Sequence, residues 1–258
     1  YNLKKKIYLI EKKYNFRKPF ERISNKSKNY ISKCFQTAFL LLNAKFGKIL
    51  INGPVSKQHF LHKNFPGITE YVFKNTKKKV SKNPVMLIYN KSLSVSPVTT
   101  HIPVKDISEK LNKTIIINNV LNINNFYKNK LKILPKIAIL GLNPHCESKS
   151  KINEENKIIK PCIKYLKKQK INVSGPYSAD TFFLKKNISN FNSIVGMYHD
   201  QVLTPFKTLY GFDASNITLG LPFIRMSVDH GPNELMLGKN KSNTKSLENI
   251  FDFIKNIK

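Results

Sequence analysis

Short apolar runs that break off at a polar, proline-punctuated loop recur along this chain, and three of them end on a histidine. The stretches are Thr99-Thr100-His101-Ile102-Pro103, Gly141-Leu142-Asn143-Pro144-His145 and Met197-Tyr198-His199-Asp200-Gln201. A parallel strand that stops this way delivers side chains to the carboxyl edge of a sheet, where open α/β proteins bind ligands. Imidazole is the commonest metal ligand and titrates near neutrality. Three such groups at three strand ends could form one three-ligand metal site with room for a substrate.

The rest of the chain alternates in the same sense. Apolar residues Ile31, Phe35, Ala38, Phe39 and Leu42 recur at helical spacing between Ser27 and Phe46, and Gly47 is a stop signal. Strands are predicted at Lys48 to Ile51, Ile137 to Leu140 and Ser193 to Tyr198. Val85 to Tyr89 and Leu93 to Val98 read as a hairpin around Asn90-Lys91. One or two helices fill Asp106 to Lys130, and another spans Glu154 to Gln169, with acidic residues in its first turn. Ile171 to Val173 reads as a strand that stops at Ser174-Gly175-Pro176. Short extended pieces follow at Asn216 to Leu219 and Phe223 to Val228, and a closing helix at Ser246 to Ile257. Alternating strands and helices predict a largely parallel sheet covered on both faces. No repeat or linker marks a domain boundary, so residues 1–258 are read as one unit.

Size and charge bound the function. The 258 residues, 41% of them hydrophobic, can bury a substantial core. No apolar stretch approaches the ~20 residues that span a bilayer. The formal charge of +30 invites a nucleic-acid reading. However, the lysines are scattered, and there is neither an arginine-rich arm nor zinc-finger spacing, so no specific nucleic-acid partner is expected. Attraction for anionic, phosphorylated metabolites is the more modest inference. Cys34, Cys146 and Cys162 have no paired spacing, which fits a reducing, cytoplasmic setting without disulfides. The N-terminus is basic but lacks the apolar core of a signal peptide.

His59 and His62 read as surface or structural histidines, and His230 is open. Lys207, Asn216 and Arg225 offer a point charge, an amide and a planar fork, a set suited to phosphate or carboxylate. Arg225 lies within the apolar stretch Leu221-Pro222-Phe223-Ile224-Arg225-Met226, where a buried guanidinium needs an anionic partner. Asp180-Thr181 opens a helix, with Asp180 as a candidate N-cap. No Gly-x-Gly-x-x-Gly follows a strand, so a nicotinamide cofactor is not held by the usual fingerprint.

Taken together, Thr99 to Val104, Leu140 to His145, Gly175-Pro176-x-x-Ala179-Asp180-Thr181, Tyr198 to Gln201 and the long motif from Asn216 to Gly231 resemble the 4-hydroxythreonine-4-phosphate dehydrogenases of pyridoxal phosphate biosynthesis. The resemblance runs in order from about Leu50 to Gly231. It implies a two-lobed, isocitrate/isopropylmalate-dehydrogenase-like α/β/α fold with a mostly parallel sheet. It also implies a homodimer. One divalent metal (Zn, Mg or Co) would be held by His101, His145 and His199 across the dimer interface. The family's substrate contacts fall on Thr69, Lys207, Asn216 and Arg225. Asp180, Asp200 and Lys207 are the expected catalytic groups, one carboxylate taking a proton directly or through water. Hydride would pass to NAD or NADP, and carbon dioxide would leave afterwards.

The chain departs from the family in places. Ile68 stands where the family has histidine, and Cys146 to Ser150 replace a glycine-rich run. Pro232 replaces a small polar residue. The family's N-terminal Pro-Gly-Asp-Pro loop and first strand have no counterpart, so the chain reads as N-terminally shortened. Ile68 keeps a second substrate in view, a four-carbon phosphorylated sugar acid such as 4-phosphoerythronate or 4-phosphothreonate. A third reading is a non-catalytic relative that kept the scaffold.

Overall fold

A computed structural model describes residues 7–61, 64–147 and 153–257. His62 and Ser148 to Ser150 lie outside the described residues. In chain order the elements are α1 (Lys28–Asn43), β1 (Ile49–Asn52), α2 (Lys57–Leu61), α3 (Ile68–Asn75), β2 (Val85–Tyr89), β3 (Ser94–Thr99), α4 (Ile107–Lys110), α5 (Lys113–Phe126), β4 (Ile137–Leu140), α6 (Lys160–Lys168), β5 (Val173–Tyr177), α7 (Ala179–Phe182), α8 (Lys185–Ile188), β6 (Ser193–Tyr198), α9 (His199–Tyr210), β7 (Ser215–Leu219), β8 (Ile224–Val228) and α10 (Lys245–Asn256). Among the described residues the strands form one eight-stranded sheet in the order β1-β8-β7-β2-β3-β6-β4-β5.

The expected parallel pairing holds at both ends of the sheet. β1 pairs parallel with β8, and β3, β6, β4 and β5 run parallel as a block. The middle is antiparallel, through β2–β3, β2–β7 and β7–β8. The hairpin β2–β3 makes this switch, with Ser92 N–H donating to Asn90 Oδ1 (2.9 Å) in its turn.

Both faces are covered, which explains why the strands are near-continuous apolar runs. Leu87, Ile217 and Met226 face the layer built from α5, α6 and α10, packing with Ile116, Val120, Leu166 and Ile250. Met86, Ile88 and Val95 face the other way, onto Val202 and Phe206 of α9. A separate cluster joins Leu50 to Phe35 and Phe39 of α1 and to Val72 and Phe73 of α3. A seam separates the α9 cluster from the α1–α3 cluster on that face. α5 starts where Asn112 Oδ1 accepts from Ile115 N–H (3.1 Å), a side-chain N-cap.

Two local expectations are corrected. The strand expected to stop before Ser174-Gly175-Pro176 instead runs through them as β5, Val173–Tyr177. The reason is position: β5 is an edge strand, where proline's missing N–H leaves no ladder bond unmade. Gly175 has φ +133°, and a Cβ there would lie 2.3 Å from the Ile139 carbonyl oxygen, so only glycine fits beside β4. Asp180 is not an N-cap. Ser178 holds that position, and its hydroxyl donates to Asp180 Oδ1 (2.6 Å) inside the first turn of α7. All three cysteines are free, as expected. No helix among the described residues is long and apolar enough to cross a membrane.

Candidate active site

A cavity of about 780 Å³ opens along the seam, between α9 and the start of α3. One face of α9 presents His199, Asp200, Leu203, Thr204, Lys207 and Thr208 to it. These residues recur every four positions, so they share one side of the helix while Val202 and Phe206 pack on the sheet. From His199 to Lys207 the helix rises about 12 Å. The cavity therefore has two ends, one lined by imidazoles and one by cations.

At the imidazole end, β3, β6 and β4 are adjacent parallel strands, so the chain following each leaves at one edge of the sheet. His101 and His199 line the cavity, with ring centroids 6.0 Å apart. His145 does not line it. Its side chain is 74% exposed, so it is open to contact from outside this chain. Each of the three imidazoles has a carboxylate beside Nδ1. Glu70 Oε1 lies 3.6 Å from His101, Asp180 Oδ2 lies 3.6 Å from His145, and Asp200 Oδ1 lies 2.7 Å from His199. At His199 the carboxylate is within hydrogen-bond distance of Nδ1, which favours the proton there and leaves Nε2 with its lone pair, the arrangement that metal-ligating histidines use; the other two carboxylates stand beside Nδ1 beyond that distance. His101 and His145 also hold left-handed backbone, φ 52° and 55°, which non-glycine residues adopt rarely.

The histidine donors and their carboxylates therefore suit a divalent cation. Two of the three rings are brought together and the third is not. Among the described residues of one chain, no group of three or more His, Cys, Asp or Glu side chains is arranged to hold a metal.

The strand ends are held by residues that sequence reasoning missed. Glu155, fully buried in the π-helical segment Glu155–Ile159 that runs into α6, accepts from the backbone N–H groups of Leu142 and Asn143 through Oε1 (2.8 Å each) and from Asn143 Nδ2 through Oε2 (2.8 Å). It fixes the loop that carries His145. Gln201 bridges β6 and β4: its Oε1 accepts from Met197 N–H and its Nε2 donates to the Gly141 carbonyl, both at 2.7 Å. Replacing Gln201 by leucine leaves both backbone groups buried without partners. We expect a loss of about 2–4 kcal/mol in chemical unfolding; a loss below about 0.5 kcal/mol would show that the bridge is dispensable.

At the cationic end, Arg225 is 2% exposed. Its Nε donates to Asn52 Oδ1 (2.9 Å), and Nη1 donates to Thr218 Oγ1 (3.0 Å) and Thr69 Oγ1 (3.4 Å). Register explains the grouping, because Leu50, Arg225 and Thr218 pair across β1, β8 and β7 on one face. All the immediate partners are neutral. Burial pushes the guanidinium down to about 10, and the charge of Glu70 only partly opposes this. Lys207 meets the Asp229 carboxylate and donates to the Asp229 carbonyl (3.2 Å). Asn216 lines the same cavity, and its Oδ1 is buried with no hydrogen-bond partner among the described residues. Thr69, Lys207, Asn216 and Arg225 all line this cavity.

Of the carboxylates, Asp200 lines the cavity and Asp180 does not. The Ser178 hydroxyl, with the neighbouring His145, holds the Asp180 carboxyl below its usual range. His59 is structural, its Nδ1 3.0 Å from Asn25 Oδ1, whereas His230 lines the cavity.

An eight-stranded sheet covered on both faces, with a cleft offering imidazoles at one end and the buried Arg225 with Lys207 at the other, defines an isocitrate/isopropylmalate-dehydrogenase-like α/β/α protein. The family model described as pyridoxal phosphate biosynthetic protein PdxA matches residues 2–253, and the chain belongs to that family. The 4-hydroxythreonine-4-phosphate dehydrogenase of Sulfurihydrogenibium sp. is 44% identical over 201 residues, which is 76% of this chain and 61% of the relative. That of Wigglesworthia glossinidia brevipalpis is 41% identical over 212 residues, 80% of this chain and 62% of the relative. The chain thus spans about three-fifths of the length of these curated relatives. The crystal structure of 4-hydroxythreonine-4-phosphate dehydrogenase from Klebsiella pneumoniae superposes with a TM-score of 0.75 at 27% identity, covering 92% of this chain and 74% of that one.

Proposed function

We propose that this chain carries the active-site cleft of a homodimeric, divalent-metal-dependent dehydrogenase that oxidises 4-phosphohydroxy-L-threonine. Decarboxylation then yields 3-amino-2-oxopropyl phosphate, in pyridoxal phosphate biosynthesis. One observation carries the reading. Thr69, His101, His199, Lys207, Asn216 and Arg225 are far apart in sequence yet line one cavity. The names of the relatives support the same substrate.

In this reading His101 and His199 would hold the cation together with His145, supplied across the dimer interface. A divalent cation held there would supply Lewis acidity toward the substrate's secondary alcohol and toward the charge left after carbon dioxide departs. Arg225 and Lys207 grip the phosphate at the other end, about two helical turns away, and Asn216 donates an amide hydrogen bond to it. Anchoring a distant phosphate fixes the reacting carbon against the imidazole end. Asp200, within the cavity, takes the hydroxyl proton directly or through water. NAD or NADP, when bound, would supply the hydride acceptor. No residue is assigned to hold that cofactor, since no Gly-x-Gly-x-x-Gly turn follows a strand.

Ile68 favours a second reading. It lines the cavity as a buried apolar side chain and cannot hydrogen-bond to a substrate. A four-carbon phosphorylated sugar acid would then be the substrate. The test is production of reduced nicotinamide from 4-phosphohydroxy-L-threonine and from 4-phosphoerythronate, with zinc, magnesium or cobalt added. Turnover of the first alone supports the proposal. Turnover of the second alone transfers the site to the sugar acid, and turnover of neither removes the catalytic reading.

A further inference from the structure

Lys57, at the start of α2, has no role in the scheme above, yet its ammonium lies 3.1 Å from Nε2 of His101 and it lines the same cavity. An ammonium has only hydrogens to offer, so in this contact Nε2 is the acceptor. Nδ1 faces Glu70, whose Oε1 lies 3.6 Å away. The three side chains form a row, carboxylate, imidazole, ammonium, with the ammonium on the one lone pair that a cation would use. The row is tightly built at its inner end. A Cβ on Gly67 would lie 2.7 Å from Glu70 Oε2 and 3.0 Å from His101 Cε1, so the missing side chain at Gly67 is what lets these two groups sit there.

Resting on the metal reading above, we infer that Lys57 is a built-in placeholder for the divalent cation. It neutralises the Glu70–His101 pair while the cation is absent and must leave Nε2 when the cation arrives. Two positive centres cannot share one lone pair. Lys57 stays in the cavity wall after displacement, with its charge unpaired. It then adds attraction for an anionic substrate that it could not supply before. Cation entry thereby precedes and promotes binding of the phosphorylated ligand.

The test is zinc titration of the intact protein against a chelating indicator, with Lys57→Met and Lys57→Arg beside the unaltered chain. Far-ultraviolet circular dichroism checks that each is folded. Lys57→Met removes the competitor and should bind zinc about tenfold more tightly, while Lys57→Arg keeps a cation on Nε2 and should not. In the same samples, zinc should strengthen binding of inorganic phosphate to the unaltered protein and lose much of that effect in Lys57→Met. Equal zinc affinity in Lys57→Met and the unaltered protein, or weaker affinity in Lys57→Met, overturns the placeholder and leaves the metal site standing. No zinc bound by any of the three proteins overturns the metal site itself.

Discussion

Arg225→Met should lower kcat/KM for the phosphorylated substrate by roughly 30–1,000-fold, equivalent to about 2–4 kcal/mol, while leaving the free protein as stable as before or more so. The two halves of this expectation come from one observation. The guanidinium is 2% exposed, and its hydrogen-bond partners are Asn52, Thr69 and Thr218, none of them charged. Its folded-state value, about 10, is below the ordinary one. A base depressed in this way contributes stability only above its ordinary value, and that contribution is lost as pH falls through about 10. At neutral pH the buried charge is therefore a load on the fold, on the order of a few kcal/mol. Methionine removes the load at similar length, which is why buried ionic groups replaced by apolar ones are often neutral or stabilising. A ligand anion relieves the same load, so inorganic phosphate should raise the thermal midpoint of the unaltered protein and not that of Arg225→Met. A midpoint that phosphate raises equally in both proteins would take the anion away from Arg225.

The order of strands and helices was readable because burial on both faces leaves a strong mark. β2, β4 and β6 are short apolar runs between punctuating residues, and the strand bounds coincide with those runs. The three histidines stand out for the same reason, since each lies within five residues after the end of such a strand. What the sequence hid is the support around them. Glu155 acts on a loop twelve or thirteen positions earlier, and Gln201 on a carbonyl sixty positions away. Nothing local announces such bonds. A signal did exist for Glu155: it shares the buried stripe of its helix with Ile159, Ile163 and Leu166, where a carboxylate survives only if backbone N–H groups meet it. Gly175-Pro176 misled because it punctuates most chains, and only the sheet order shows that β5 is an edge. Lys57 was hidden by abundance, one lysine among many, until its distance to His101 set it apart.

His145→Ala and His199→Ala should each abolish high-affinity zinc binding, and mixing the two should restore part of it. One chain brings His101 and His199 within 6.0 Å while His145 stands outside the cavity beside Asp180. If the third ligand crosses a two-fold interface, a mixed dimer contains one site with all three histidines intact and one site lacking two of them. Random reassortment of equal amounts makes half the dimers mixed, so about a quarter of the wild-type zinc sites should return. Subunits exchanged by mild denaturation and dialysis, then counted by metal analysis and by turnover, give the answer. The carboxylates grade the effect. Asp200→Asn weakens the partner of His199 Nδ1 without touching Nε2, and should cost 10–100-fold in zinc affinity, less than loss of the ring itself. Zinc sites that fail to return on mixing, although each variant is folded and dimeric, would mean that the three imidazoles belong to one chain or to no common site. The cleft would then be an anion-binding pocket flanked by histidines, and the metal chemistry proposed for it would be gone.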